Sequence, residues 1–366
     1  MGKVLLLVVV LVLLTGATLQ DDGHSKKARP RTFFGDLVTV AKPDLNGTQA
    51  PFSSSHPPAL ELQHNSTAAY LQGALSTRVI PIIYILIVTF GIPANVGILC
   101  LLATKIRKVS SAILYCSLAV SDLLLLLSLL FKTHYHLLGN NWVLGEAACR
   151  VVTACFYGNL YCSALTLACI SIKRYLAVVY PFTYKSFPKR TCTTWVSLAV
   201  WALFVAAIIP ELVTQQTYLL PQLNRTTCHD VLALKRDTYQ YLLSYNVVLG
   251  VLGLLMPLVV ATVCFSRIIC ELSRSHRDWT MYIRTSSLVF GIFLVCFIPA
   301  GVLHLVHYAQ LFADGTQSVY IYFNVAVCLC CLHACLDPFL FVFMSRSSGN
   351  RLHLTTSKGK SLSVSI

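Results

Sequence analysis

The run LAVSDLLLLLSLLF, residues 118–131, decides what kind of protein this is. Its single acid, Asp122, sits among Leu, Val and Ala, where a carboxylate is costly and is kept for a reason. The apolar segment around it covers 111–132, close to the ~20 residues a helix needs to cross a bilayer. Working outward, six further segments of the same kind lie at about 79–104, 146–179, 191–213, 238–271, 279–308 and 316–345. A mean hydropathy of +0.70 and only 11% charged residues exclude an ordinary soluble protein. The fold expected is an all-α membrane protein, a bundle of seven transmembrane helices.

The first residues, MGKVLLLVVVLVLLTGATLQ, give one basic residue, a short apolar run and small residues, the pattern of a secretory signal peptide. The domain division is then 1–18 signal peptide, 19–78 extracellular leader, 79–345 seven-helix domain and 346–366 short cytoplasmic tail. The basic residues check the orientation. Sixteen Lys and Arg fall on the predicted inner side, against six at the outer span ends and loops, as short cytoplasmic loops require. The net charge of +14 is therefore an inner collar facing anionic lipid and acidic partners, and calls for no nucleic acid.

Three N-x-S/T sequons, at Asn46, Asn65 and Asn224, all fall on the outer side and are expected to carry glycans. The leader is rich in Ser, Pro, Asn and Thr without sustained apolar period, which reads as a disordered, glycosylated segment. Of fifteen cysteines, thirteen lie within or near the inner halves and middles of the apolar segments. Cys149 and Cys228 alone face an oxidising compartment, and a bridge between them is expected. CLCCLHACLD, 328–337, tempts towards zinc, but one histidine, His333, among apolar neighbours reads as packing.

Prolines at 210, 257, 299 and 338 each remove a backbone hydrogen bond inside a span, giving helices that bend. Asp122 and Asp337 are acids at membrane depth, with Asn95 in reach of either. Three roles are open: a polar network that locks the bundle, a hydrated sodium pocket with Ser163 as a further oxygen donor, or an aspartyl protease dyad. The last needs a Gly-x-Gly-Asp type sequence, which is absent, so no enzyme is expected. A transporter or channel is disfavoured because no internal repeat is visible.

Asn95, LAVSD, CISIKRY (169–175), Trp201, CFIP (296–299) and DPFLF (337–341) together resemble the rhodopsin-like G-protein-coupled receptors. GNNWVLGE (139–146), FYGNLYCS (156–163), ACISIKRYLAVVYPFTY (168–184) and TTCHDVL (226–232) look like the proteinase-activated receptors across the membrane region. The short tail and the Thr-Phe-x-Gly sequence of the leader place the resemblance nearest a thrombin-responsive branch.

That resemblance implies plasma-membrane location and activation when a serine protease cuts the leader. A trypsin-like protease needs a basic residue before the cut, which Arg31 supplies in ARPRTFFGD (28–36), and thrombin also favours the preceding Pro30. The freed end Thr32-Phe33-Phe34-Gly35-Asp36 would be the tethered ligand, and the CHDVL loop, through His229 and Asp230, its receiver. Arg174 would meet a heterotrimeric G protein. Lys173 stands where many such receptors have an acid, and Phe341 where a tyrosine is usual. Alternatives are a cleavage-dependent accessory co-receptor for another protease-activated receptor, or a receptor for a diffusible peptide.

Overall fold

A computed structural model describes residues 33–38, 57–62, 65–103, 110–233, 244–274, 280–313 and 319–347, with two tail strands at 352–355 and 361–364. Seven of its helices are long and apolar enough to cross a membrane: Thr67–Ala103, Ala112–Leu137, Gly145–Val179, Lys189–Val213, Ser244–Ser273, Phe293–Gln310 and Tyr320–Phe339. These are the seven segments expected. Phe90, Trp195, Val213 and Val295 are each at least 67% exposed, a belt of bulky apolar side chains that only lipid would cover. The second and seventh spans are the most enclosed, which sets Asp122 and Asp337 inside the bundle.

The prolines act as backbone chemistry dictates. Pro257 follows a stretch of wide i→i+5 turns, Leu249–Leu255, in the fifth span, where its missing N–H needs no helical partner. The seventh span is interrupted at Cys331 and Leu332, between helices Tyr320–Cys330 and His333–Ser347. Pro338 lies four residues beyond Ala334 and cannot bond its carbonyl; Asn95 Nδ2 donates to that oxygen at 2.7 Å instead. Asn95 also donates to Gly91 O at 3.0 Å, so its amide is not bonded to either acid, contrary to expectation. The carbonyl that proline releases is the nearer acceptor.

The leader differs from expectation where it is described. Two of its segments form strands, β1 (Phe33–Val38) and β2 (Ala59–Leu62), and residues from Asn65 continue as helix into the first span. The loop after the fourth span supplies β3 (Thr217–Leu220), β4 (Arg225–Cys228) and β5 (Val231–Ala233). All five make one sheet in the order β4-β3-β2-β1-β5. Short, alternating runs such as ALEL were too brief to register as strands against the polar composition around them. Their apolar face is nonetheless enclosed, with Leu60, Leu220 and Val231 fully buried in the same core as the helices. The two tail strands, Leu352–Thr355 and Ser361–Val364, pair antiparallel in a sheet of their own.

The signal peptide, Arg31, Thr32 and Asn46 lie outside the described residues. Asn65 opens a helix. Asn224 is exposed in the turn between β3 and β4 with φ of 49°, the left-handed region that asparagine tolerates, a position open to a glycan.

Candidate functional site

The sheet roofs the leader-side end of the bundle, and three clamps hold it. The first is covalent: Cys149 and Cys228 form the expected disulfide, tying the end of β4 to the third span. The second is Glu146, at the start of that span. Its carboxylate accepts from the backbone N–H groups of Gln216 and Thr217 at 2.9 and 2.8 Å, at the root of β3. The third is the loop after the second span, where Trp142 N donates to Thr226 O at 2.7 Å and Thr226 N to Asn141 Oδ1 at 3.0 Å. Next to it, buried Asn140 donates to Leu71 O and Ser76 Oγ at 2.6 and 2.8 Å, pinning the helical end of the leader. Neither Glu146 nor Asn140 stood out in sequence, because each bonds across segments far apart in the chain.

β1 lies between two partners. It runs antiparallel to β2, with Gly35 opposite Leu62 and Asp36 opposite Glu61, and parallel to β5, with Phe33 opposite Val231 and Gly35 opposite Ala233. The segment nominated as ligand thus already lies, backbone to backbone, beside the loop nominated as its receiver.

His229 and Asp230, expected to act together, point into different cavities that share the side chain of Tyr157. His229, with φ of 70°, donates from Nδ1 to Gln216 Oε1 at 2.8 Å, and lies 3.9 Å from Glu211. Its cavity is also bounded by Tyr161, His304 and Tyr308. Asp230 faces the other way. Its carboxylate accepts from Tyr135 Oη at 2.6 Å and Tyr320 Oη at 3.1 Å, in a cavity that also holds Lys132, His136, Tyr84 and Asn324. Left-handed backbone at His229 turns the chain between the two side chains and separates them. Lys132 is buried with its ammonium 4.5 Å from the centre of the Phe156 ring, a cation-π contact. A lysine this deep was counted only as one of the outer basic residues; its place in an apolar run was the signal.

Midway down the bundle the acids gather a polar cluster. Ser163 Oγ donates to Asp122 Oδ1 at 3.3 Å, but Asn159 is the hub: its Nδ2 reaches Ser121 Oγ at 2.8 Å, Ser163 Oγ at 3.2 Å and Asp122 Oδ1 at 3.4 Å. His333 joins them, its Nε2 3.6 Å from Asp122 Oδ1. Buried acceptors without any hydrogen-bond partner include Asn95 Oδ1, Asp122 Oδ2, Asn159 Oδ1 and Asp337 Oδ2, at a cost of about 1–3 kcal/mol each if nothing meets them. The cysteines of the seventh span pack instead: Cys331 and Cys335 donate from sulfur to Val327 O and Ile87 O, both at 3.2 Å.

At the tail-side end Arg174 donates from Nη2 to the hydroxyl of Tyr115. Lys173 turns away to Ser110 Oγ and Thr193 Oγ1, at 2.9 Å each. The arginine is therefore held by a neutral oxygen of the second span rather than by a carboxylate beside it. Replacing Tyr115 with Phe removes that restraint, and ligand-independent signalling is expected to rise about 2- to 10-fold, for a hydrogen bond worth ~0.5–1.5 kcal/mol; second-messenger output at matched surface expression measures it. The side chain of Phe341 lies outside those described.

Seven spans, a disulfide joining the third to the loop after the fourth, and a polar core around paired intramembrane acids define a rhodopsin-family receptor. The family model for the seven-transmembrane receptors of the rhodopsin family matches residues 94–341. Among curated proteins the chain is 41% identical over 283 residues to proteinase-activated receptor 3 of Rattus norvegicus, covering 77% of each. It is 39% identical to proteinase-activated receptor 3 of Bos taurus over 87% of this chain and 85% of that one, and 35% identical to proteinase-activated receptor 2 of Mus musculus over 87% and 79%. The chain belongs to the proteinase-activated receptors, a family of membrane-spanning, protease-activated G-protein-coupled receptors and not of enzymes.

Proposed function

We propose that a trypsin-like serine protease, with thrombin favoured by Pro30, cuts between Arg31 and Thr32 outside the cell, and that the end beginning Thr32-Phe33-Phe34-Gly35-Asp36 is the agonist. The observation that carries this reading is the parallel pairing of β1 with β5. The first described pair sets Phe33 opposite Val231, the residue after Asp230, and on that ground we take the carboxylate of Asp230 as the group that receives the new amino end. Before cleavage position 32 carries an uncharged amide; afterwards it carries an α-amine with a pKa near ~8, largely protonated at neutral pH. The strand supplies affinity through backbone hydrogen bonds, and the new charge supplies the signal. A ligand held on its own receptor also works at an effective concentration in the millimolar range, so weak contacts suffice.

The signal has a route to the opposite end. Tyr320, which donates to Asp230, opens the seventh span, and His333 further along it packs on Phe297 at 4.8 Å between ring centres. Phe297 meets Phe293 at 4.5 Å in the sixth span, whose outward swing would free Arg174 for a heterotrimeric G protein.

The test uses cells expressing the chain with an epitope before Arg31. Thrombin or trypsin is expected to release the epitope, leave a fragment whose first residue is Thr32 by mass spectrometry, and raise intracellular calcium; Arg31→Ala blocks all three. Epitope loss without calcium would instead fit an accessory role beside another protease-activated receptor. The pairing makes a separate prediction: Gly35 sits between two strands, where proline breaks a ladder. A free Thr-Phe-Phe-Gly-Asp peptide should activate, and its variant with Pro for Gly should be more than about 10-fold less potent in the same calcium assay.

A further inference from the structure

We propose that Cys100, Cys192 and Cys270 are S-acylation sites: three thiols on one rim of the bundle, each placed to carry a long-chain fatty acyl group as a thioester. Of the thirteen free cysteines these three alone are exposed. They lie on the first, fourth and fifth spans, and each sits three residues from the tail-side end of its helix, Cys100 before Ala103, Cys192 after Lys189 and Cys270 before Ser273. At the rise of an α-helix that is about 4.5 Å along the axis, one common depth reached from three separate segments of the chain.

Depth and direction together single these thiols out. Bases mark the rim: Lys105, Arg107 and Lys108 follow the first span, Lys189 and Arg190 open the fourth, and Arg274 closes the fifth. Such residues hold helix ends at the level of anionic headgroups, so a thiol one turn inward and facing out lies where headgroups give way to acyl chains. Cys116 is the internal contrast. It lies four residues inside the tail-side end of the second span, at nearly the same depth, yet it packs against the core of the bundle.

The helix surface beyond each thiol takes a hydrocarbon chain without displacing any packed group. Residues three, four, seven and eleven apart share a helix face. From Cys192 that face runs through Trp195 and Leu203, and from Cys270 through Val263 and Val259, all of them exposed. From Cys100 it runs through exposed Val96 and beside Gly97, where a Cβ would meet nothing within 4 Å. An acyl chain on any of the three lies along an apolar face that already needs lipid.

The chemistry needs only a free thiol and an activated acyl donor. With the tail inward, the orientation the basic residues favour, the rim faces the reducing side of the membrane, where thiols stay free. The cysteine sulfur attacks the carbonyl carbon of a long-chain acyl thioester of coenzyme A. The new C–S bond forms as the bond to the carrier sulfur breaks, and the thiol proton leaves with the carrier as its free thiol. Nothing is oxidised or reduced. Juxtamembrane cysteines are the acceptors for this reversible attachment. The inference rests on the inward tail and stands independently of leader cleavage.

The test feeds an alkyne-bearing palmitic acid to cells expressing the full-length chain, purifies the chain and couples a fluorophore to the alkyne. Expected is a label that hydroxylamine removes, since it cleaves thioesters and spares amides. Cys100→Ala, Cys192→Ala and Cys270→Ala combined should lose that label to the background of cells without the chain, with surface display kept because all three side chains are exposed. Cys116→Ala should keep it in full. Should the triple variant not reach the surface, mass spectrometry of the unmodified chain decides, with the acyl mass expected on peptides containing Cys100, Cys192 and Cys270. No hydroxylamine-sensitive label in the unmodified chain, label that persists in the triple variant, label lost with Cys116→Ala, or acyl mass only on other cysteines would each overturn the proposal.

Discussion

Asp230→Asn is expected to abolish calcium signalling by the cleaved receptor and by the free Thr-Phe-Phe-Gly-Asp peptide, while leaving cleavage at Arg31 untouched. The substitution keeps the shape of the side chain; its Oδ1 can still accept from one of the two hydroxyls, of Tyr135 or Tyr320, and its Nδ2 can donate to the oxygen of the other, so the roof of the bundle should survive. What it removes is the negative charge in a buried cavity already holding Lys132. An ammonium entering there would face a lysine and no anion. Losing one partner of a buried charge pair costs about 2–5 kcal/mol, which is a rise in half-maximal peptide concentration of about 30-fold to several thousand-fold. The measurement is a pair of curves: epitope release against protease, and calcium against peptide. An unchanged peptide curve would place the amine elsewhere, with Glu211 beside His229 the remaining buried acid on the far side of Tyr157.

Cys228→Ala should be nearly as damaging, by a different route. The bridge to Cys149 spans 79 residues, for which loop entropy alone gives about 4–5 kcal/mol. Two membrane spans lie inside that loop and stay inserted when the roof opens, so a loss of about 2–3 kcal/mol is the better expectation. The bridge packs with Tyr135, Trp142 and Val152, and Tyr135 is also the nearer donor to Asp230. Opening it therefore loosens the proposed receiver, Asp230, together with the sheet. Surface display, read by antibody on intact cells, should fall, and the chains that do reach the surface should need more than about 10-fold more peptide. Full peptide potency in Cys228→Ala at normal display would show that the clamps at Glu146 and Asn140 hold the roof alone.

Which parts were legible follows from how each is encoded. The seven spans are written in local composition: a helix in lipid must be apolar along its whole length, so each segment declares itself without reference to its partners. The disulfide was legible by elimination, because only Cys149, at the outer end of its segment, and Cys228, in a loop, lie away from the inner halves and middles of the spans. Asp122 and Asp337 were legible because a charge in an apolar run is costly wherever it ends up pointing. The leader strands were not, since ALEL and FFGDLV pair with each other across an intervening stretch of leader and with a loop more than 150 residues away. A strand that borrows its hydrogen bonds from distant chain carries little local signal. Asn95 was misassigned to the acids because the carbonyl that captures it exists only where Pro338 passes.

By itself the sequence determined the solvent of this protein, its seven crossings and its family, since all of these rest on runs of neighbouring residues. Only the tertiary structure decided that His229 and Asp230 face opposite cavities, that His333 completes a cluster with two acids, and that Arg174 is held by Tyr115. The physical reason is that such contacts depend on backbone turns and helix interruptions of a residue or two. A left-handed φ at His229, or a break at Cys331, redirects a side chain by more than any pattern of hydropathy can register.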